Sequence, residues 1–365
     1  MRNKSILINQ YQITIITSVD EFYLLKPAWD LLQEKLGNSN FFMSFEWMLT
    51  WWKCLGFEKE LLIFVIKYGD QIVGIVPLMK KRRSIKPVKY YELSFISTVR
   101  VAFSPCSFAG TLDFLVDPDH EKSREVFFRY LLTEFKDWNR IKLHPLPKDS
   151  LTLSILKRIE KENKISVFKY NGRPKNFRKN LKRAKKKLFE NRKVTFEEYR
   201  NPEDVNEALN NLQLIESNAW KAQTGILIDN DYNNHFYFEL AKVISQNNWL
   251  RIWVLKVDDI PVAYDYHVDY FGNIKTLKGS YDKNYAEFSP GSILSWKVHQ
   301  LFFQEGVKGV DLLWGNLDYK QKWTNFLNPH FEISFYNSNF YSRFIKFRET
   351  SLMIKLIAKM YRTVM

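Results

Sequence analysis

Two stretches of this chain, 189 residues apart, are written in the same way: "LLIFVIKYGDQIVGIVPL" at 61–78 and "LRIWVLKVDDIPVAYDYH" at 250–267. Each runs an apolar segment to a lysine, turns through Asp and enters a second apolar segment. Ile63 falls on Ile252, Val65 on Val254 and Lys67 on Lys256 before the turns differ by one residue. β-Branched and aromatic runs around a short polar turn specify a β-hairpin. A repeated hairpin in 365 residues, more than one ordinary core holds, points to a duplicated unit and two lobes.

The second half gives the clearer order. "IKTLKGSY" follows the hairpin as a third strand, so 250–281 reads as an antiparallel meander. "YAEFSPGSILSWKVHQLFFQEG" reads as a helix that Ser289 caps, Pro290 begins and Gly306 ends. A strand "VKGVDLLW", a short helix "LDYKQKWTNF" and a strand "HFEISFYN" complete β-β-β-α-β-α-β, with a helix around "DVNEALNNLQLIESNAWK" before it. In the first half, "FYLLKPAWDLLQEKL" and "FEWMLTWWKCL" are predicted helices before the hairpin and "REVFFRYLLTEFKDW" one after it. "YYELSFIS" and "GTLDFLVD" are predicted strands. The expected fold is α/β (α+β), two lobes that are each a mixed, mostly antiparallel sheet flanked by helices. The boundaries are a first lobe at 1–160, a basic linker helix region at 161–195, a second lobe at 196–340 and a basic amphipathic helix at 341–365.

The net charge of +15 is concentrated in two places. Residues 173–193 hold eleven Lys or Arg against Glu190, residues 340–365 hold six against Glu349, and the rest of the chain balances. A neutral body with two basic attachments argues for local anion contacts rather than a surface that wraps nucleic acid. Phe177, Leu181, Ala184 and Leu188 recur at helical spacing, so "FRKNLKRAKKKL" is a docked helix with one narrow apolar stripe and a broad basic face. The N-terminal stretch lacks the apolar run of a secretory signal, and no segment is apolar enough to span a bilayer, so the expected location is cytoplasmic. Cys54 and Cys106 make no disulfide framework, and no Cys/His spacing fits zinc.

The stretch "GSYDKNYAEFSPGSILSWKVHQLFFQEGVKGVDLLWGNLDYKQKW" resembles the CelD-like branch of the GNAT acyltransferase superfamily, relatives of the Fem-type aminoacyl-tRNA-dependent transferases. Ser289-Pro290-Gly291, the strand at 309–311 and Gly315 with Tyr319-Lys320 carry the likeness. "FFMSFEWMLTWWK", "RKNLKRAKKKL" and "ESNAWK" extend it over most of the chain. One departure is the short stretch "SVFKYNGRPKNF" before the basic helix, where the family has a longer strand-and-helix lead. The resemblance implies two GNAT-like lobes and acyl transfer from acyl-CoA, without a metal, to an amine or hydroxyl of a cell-envelope or saccharide precursor. It also leaves two alternatives: an aminoacyl-tRNA donor, and a non-catalytic member of a polysaccharide assembly system.

The resemblance places the donor pyrophosphate at the start of the helix beginning at Ser289, on the N–H groups of Gly291, Ser292 and Ile293, where the helix dipole favours anions. It makes Tyr319 the acid near the leaving sulfur, and Lys320 a phosphate or acceptor contact. For the base, "IPVAYDYHVDY" sets Tyr264, Tyr266 and Val268 on one strand face and Asp265, His267 and Asp269 on the other. If that second face lines the cleft, Asp265 or His267 takes the acceptor proton. If it meets solvent, the alternation is ordinary amphipathicity. Glu216 and Lys221 are candidates for the acceptor site. The basic helix, distant in sequence from the donor loop, is expected to meet an anionic acceptor or the inner face of a membrane. The C-terminal helix is a second candidate for peripheral membrane contact.

Overall fold

The computed structural model describes residues 6–8, 10–37, 40–86, 88–98, 110–159, 177–219, 231–313, 320, 322–324 and 330–351. The first lobe opens with β1 (Ile6–Ile8), β2 (Tyr11–Ile16) and helices α1 (Val19–Leu24), α2 (Lys26–Lys35) and α3 (Phe45–Leu55). β3 (Lys59–Tyr68), β4 (Gln71–Ile85), β5 (Val88–Phe95) and β6 (Leu115–Val116) lead to α4 (Lys122–Thr133), β7 (Arg140–Pro147) and α5 (Leu151–Ile159). The second lobe runs through α6 (Phe177–Phe189), β8 (Val194–Tyr199), α7 (Val205–Ser217), α8 (Asp231–Gln246), β9 (Leu250–Val257) and β10 (Ile260–Tyr270). β11 (Asn273–Tyr281), α9 (Pro290–Gln304), β12 (Gly309–Asp311) and β13 (His330–Tyr336) follow, then a helix at 340–351.

Both predicted hairpins form, and both turn through two residues at the same offset of 189, so their turns do not differ in length. β9 and β10 are joined through Asp258 and Asp259, both at positive φ (51° and 64°), as the tightest hairpin turns require. β3 and β4 turn at Gly69, φ 59°, and Asp70. The predicted helix "FYLLKPAWDLLQEKL" divides at Leu25 into α1 and α2, because Pro27 is tolerated only in a helix's first turn. "GTLDFLVD" contributes only β6, and "VKGVDLLW" only β12. Most of "LDYKQKWTNF" lies outside the described residues.

The strands form two mixed sheets flanked by helices, the arrangement of a double GNAT fold. One has the order β1-β2-β3-β4-β5-β7-β13 with β6 on β4, the other β12-β11-β10-β9-β8. In each lobe a helix carries the chain from one strand to a parallel neighbour, β5 to β7 and β11 to β12. β13 pairs antiparallel with β7, so the second unit, expected over 196–340, gives its last strand to the first sheet.

A shared core cements the lobes. α3 is capped by Ser44, whose Oγ accepts from the Trp47 N–H at 3.2 Å. It is apolar nearly all round, as a helix buried on every side must be. Trp47 meets Phe236 of α8 edge-on at 5.1 Å, and Phe41 meets Tyr270 of β10 at 5.7 Å. Each such fully buried aromatic side chain contributes about 1.5–3 kcal/mol, so the two lobes are expected to unfold together. A smaller cluster lies on the far face of the second sheet, where Leu181 and Leu188 of α6 pack with Ile293 and Leu294 of α9.

Candidate active site

β11 and β12 run parallel for only three residue pairs, 273–275 with 309–311, ending at the Lys275–Asp311 ion pair of 3.2 Å. Beyond Lys275, β11 has no strand partner on that edge among the described residues. α9, which joins the two strands, starts from Pro290 after the bend at 282–289. Ser289 takes left-handed angles (φ 52°, ψ 49°) and makes no side-chain cap, contrary to its expected role. Ile293 already donates its N–H to the Ser289 carbonyl at 3.1 Å. The amides that precede the first in-helix donor are therefore those of Gly291 and Ser292, while Ile293 itself is a core residue. Among the described residues, a Cβ on Gly291 would meet only Tyr281 Cδ1, at 3.4 Å, so none of them crowds this helix start.

The alternation in β10 is real, but neither face is solvated. Tyr264, Tyr266 and Val268 enter the shared core, while Asp265 and His267 turn beneath α9, only Asp269 of that set being half-exposed. Asp265 is 6% exposed and its Oδ2 accepts from Ser295 Oγ at 2.7 Å. Burial pushes its carboxyl up to about 7, although the Ser295 hydroxyl pulls the other way. His267 Nε2 stands 4.0 Å from Asp265 Oδ2 without a hydrogen-bond partner, and its Nδ1 meets Thr276 Oγ1 at 3.1 Å. Burial, with His299 and Arg251 nearby, holds His267 well below the ordinary histidine range, so the ring is neutral. Opposite Asp265 on β11 is Gly279, where a Cβ would come within 2.6 Å of Asp265 Oδ1. Glycine here lets the carboxylate lie over β11.

On the core face, Glu216 at the end of α7 is also buried. Its Oε1 accepts from Tyr264 OH and lies 3.3 Å from Lys278 Nζ, while Oε2 has no hydrogen-bond partner. Just beyond it, Ala219 bridges to Asp282 and Asn218 accepts from the Lys283 N–H at 3.1 Å, so this helix end abuts the end of β11. Lys320 is buried and reaches the Leu313 carbonyl at 3.4 Å. Tyr319, Lys221 and Cys106 lie outside the described residues. Cys54 is buried, and burial pushes its thiol up to about 11, which suits a packed hydrophobe rather than a nucleophile.

The structure therefore sets Asp265 and His267 on the α9 face of the second sheet, Glu216 on its opposite, core face, and Gly291 beside Tyr281 at the end of β11. It also corrects the placing of the basic helix. α6 packs along α9 and the 283–288 turn, with Lys185 Nζ 4.6 Å from the Trp296 ring centre and Arg192 4.7 Å from that of Phe288. Distance in sequence from the donor loop is not distance in space. Sequence reasoning missed Ser295, Thr276, Lys278 and Gly279. An isolated glycine inside a strand signals a close approach, and Gly279 could have been found that way.

Residues 175–321 match the family model described as an acetyltransferase (GNAT) domain. The second lobe carries a GNAT-fold domain. No curated protein sequence matches the chain. Among solved structures, FemX superposes with a TM-score of 0.54 at 11% identity, covering 91% of this chain and 97% of its own. The C-terminal domain of a protein described as a lysylphosphatidylglycerol synthetase from Agrobacterium fabrum gives 0.50 at 12% identity, covering 90% and 96%. Both likenesses are to the fold, and both extend over the two lobes of this chain.

Proposed function

We propose that the second lobe is an acyltransferase of the CelD-like kind. It would move an acyl group from acyl-CoA to an amine or hydroxyl of a polar cell-envelope or saccharide precursor. The observation that carries this reading is the parting of β11 from β12 beside the open start of α9. The Gly291 and Ser292 amides, at the positive end of the helix dipole, suit the donor's pyrophosphate. The β11 edge beyond Lys275, without a strand partner among the described residues, offers backbone N–H groups to the thioester carbonyl as negative charge develops on its oxygen. Asp265, titrating near neutrality, takes the proton of the attacking amine or hydroxyl, directly or through water, with neutral His267 beside it. The acyl carbon–sulfur bond breaks as the new acyl bond forms, and Tyr319 protonates the departing thiolate. Glu216 faces the acceptor, with Lys221 assigned to the same site and Lys320 to the donor or acceptor phosphate.

A thermal-shift titration with CoA and acetyl-CoA tests this. A ligand at 100 times its Kd stabilises by about 2.7 kcal/mol, and Gly291→Trp, which fills the open space, should abolish the shift. A shift retained in Gly291→Trp would move the donor elsewhere.

One observation favours a second reading, a Fem-type transfer of an aminoacyl group from tRNA. Lys179, Lys182, Arg183, Lys186 and Lys187 are exposed on α6 with no acid in the helix, and α6 lines the same α9 start. Salt-dependent tRNA binding that is lost on charge reversal at Lys182, Arg183 and Lys186, with no response to CoA, would replace the first reading by this one. No response to either would leave the non-catalytic reading.

A further inference from the structure

The helix at 340–351 has two faces of opposite character. Ser342 and Ile345 are fully buried, and Glu349 turns inward to Arg140 and to Tyr336 OH, so one side is tied to the first sheet. Its only acid is spent in that attachment. The other side carries Phe340, 79% exposed, and Phe347, 67% exposed, with Arg343 between them at helical spacing. Tyr341, 61% exposed, and Arg348 stand next to this stripe. Arg348 reaches the Lys86 carbonyl at the tip of the β4–β5 hairpin, where Lys86 and Lys89 are themselves exposed.

We infer that this face docks on an anionic lipid bilayer. Aromatic rings beside arginines, with no acid among them, suit the headgroup boundary, where rings bury their apolar body and cations meet lipid phosphate. A protein partner fits less well. The exposed rings of this face stand among arginines with no exposed acid, a charge pattern that matches lipid phosphate along the whole face. The cations from a second element, the β4–β5 tip, widen the same positive rim. α6 fits a membrane less well, because Leu181 and Leu188 are already buried against α9 and the outward side is purely ionic. No described helix is long and apolar enough to cross a membrane. The contact is independent of the chemistry proposed for the second lobe.

The test is flotation of the full chain with vesicles of phosphatidylcholine alone, or in equal parts with phosphatidylglycerol. The chain should float with the anionic vesicles, less so as salt is raised. Two double variants, Phe340→Ser with Phe347→Ser and Arg343→Glu with Arg348→Glu, should each weaken binding about tenfold or more. Their thermal unfolding should be unchanged, because the substituted side chains are exposed. Failure of the unaltered chain to float overturns the inference. So does flotation that both variants retain. Sedimentation showing a dimer that the Phe340/Phe347 variant abolishes would assign the face to self-association instead.

Discussion

In β10 of the second lobe, Asp265 lies beside Trp253 and His267 beside Arg251 of β9. In the matching hairpin of the first lobe the pairs are Val76 beside Phe64 and Leu78 beside Leu62, all buried and aliphatic or aromatic. The helix that follows differs in the same sense. At the approach to α4, Asp117 accepts from Lys35 at 2.5 Å and from the Asp119 N–H, and Glu121 accepts from Arg124. The start of α4 is thus supplied with carboxylates by its own chain. At α9 the corresponding stretch is Ser289-Pro290-Gly291-Ser292, with no acid and an open approach. Further along the first lobe, Leu112 donates to the Pro145 carbonyl and Phe114 is buried, so chain also covers β7 beyond its short parallel contact with β5. Among the described residues, one architecture has been completed internally in the first lobe and left incomplete in the second, at the place proposed above for the donor and the proton acceptor.

The sharpest way to break this comparison is to exchange the hairpin contents. Val76→Asp puts a carboxylate under α4 with no counterpart to Ser295, and an uncompensated buried charge costs about 3–5 kcal/mol. The urea midpoint at pH 7 should fall accordingly. A midpoint equal to the parent's would mean that the first lobe tolerates the second lobe's chemistry, and the contrast would lose its physical content. A smaller effect is expected at Gly279. Alanine there sets a Cβ 2.6 Å from Asp265 Oδ1 and 3.3 Å from the Tyr264 carbonyl oxygen. Something must shift, at about 1–3 kcal/mol, and the carboxylate is the freer of the two. If Gly279→Ala leaves both stability and the pH dependence of the chain untouched, Asp265 does not lie over β11 as described.

Legibility followed periodicity. The paired hairpins, the meander and the basic helix could be read because apolar spacing alone specifies them. The seam between lobes could not, since nothing local in "HFEISFYN" says that β13 will pair with β7. The position of α6 was misread for a related reason. Its apolar stripe announces a docked helix, but Phe177, Leu181 and Leu188 do not name α9 as their partner. In the site, the β10 alternation raised Asp265 and His267 as a pair without deciding between cleft and solvent. That depended on α9 lying over them, a contact some 30 residues away in sequence, through Ser295. The Ser289 cap failed because Ser289 takes left-handed angles instead of the extended ones a capping side chain needs, and nothing local in the sequence announces that.

The smallest expected effect separates a working Asp265 from a merely buried one. Its ordinary value is 3.8 and its folded value about 7. Below about pH 4 both the folded and unfolded chains hold this proton. Between there and pH 7 the unfolded chain releases it while the folded chain keeps it, so stability falls as pH rises and levels off above 7. Ser295 opposes that loss by donating to the charged form. Ser295→Ala should therefore cost little at pH 5 and about 1 kcal/mol at pH 8, with the fall continuing past pH 7. Urea midpoints of parent and variant at the two pH values suffice. A penalty that is the same at both would mean that the hydroxyl does not discriminate between the two forms of Asp265. In the first lobe the corresponding residue is Val76, which does not ionise, so such a pH-dependent difference is expected there only when a carboxylate is introduced, as in Val76→Asp.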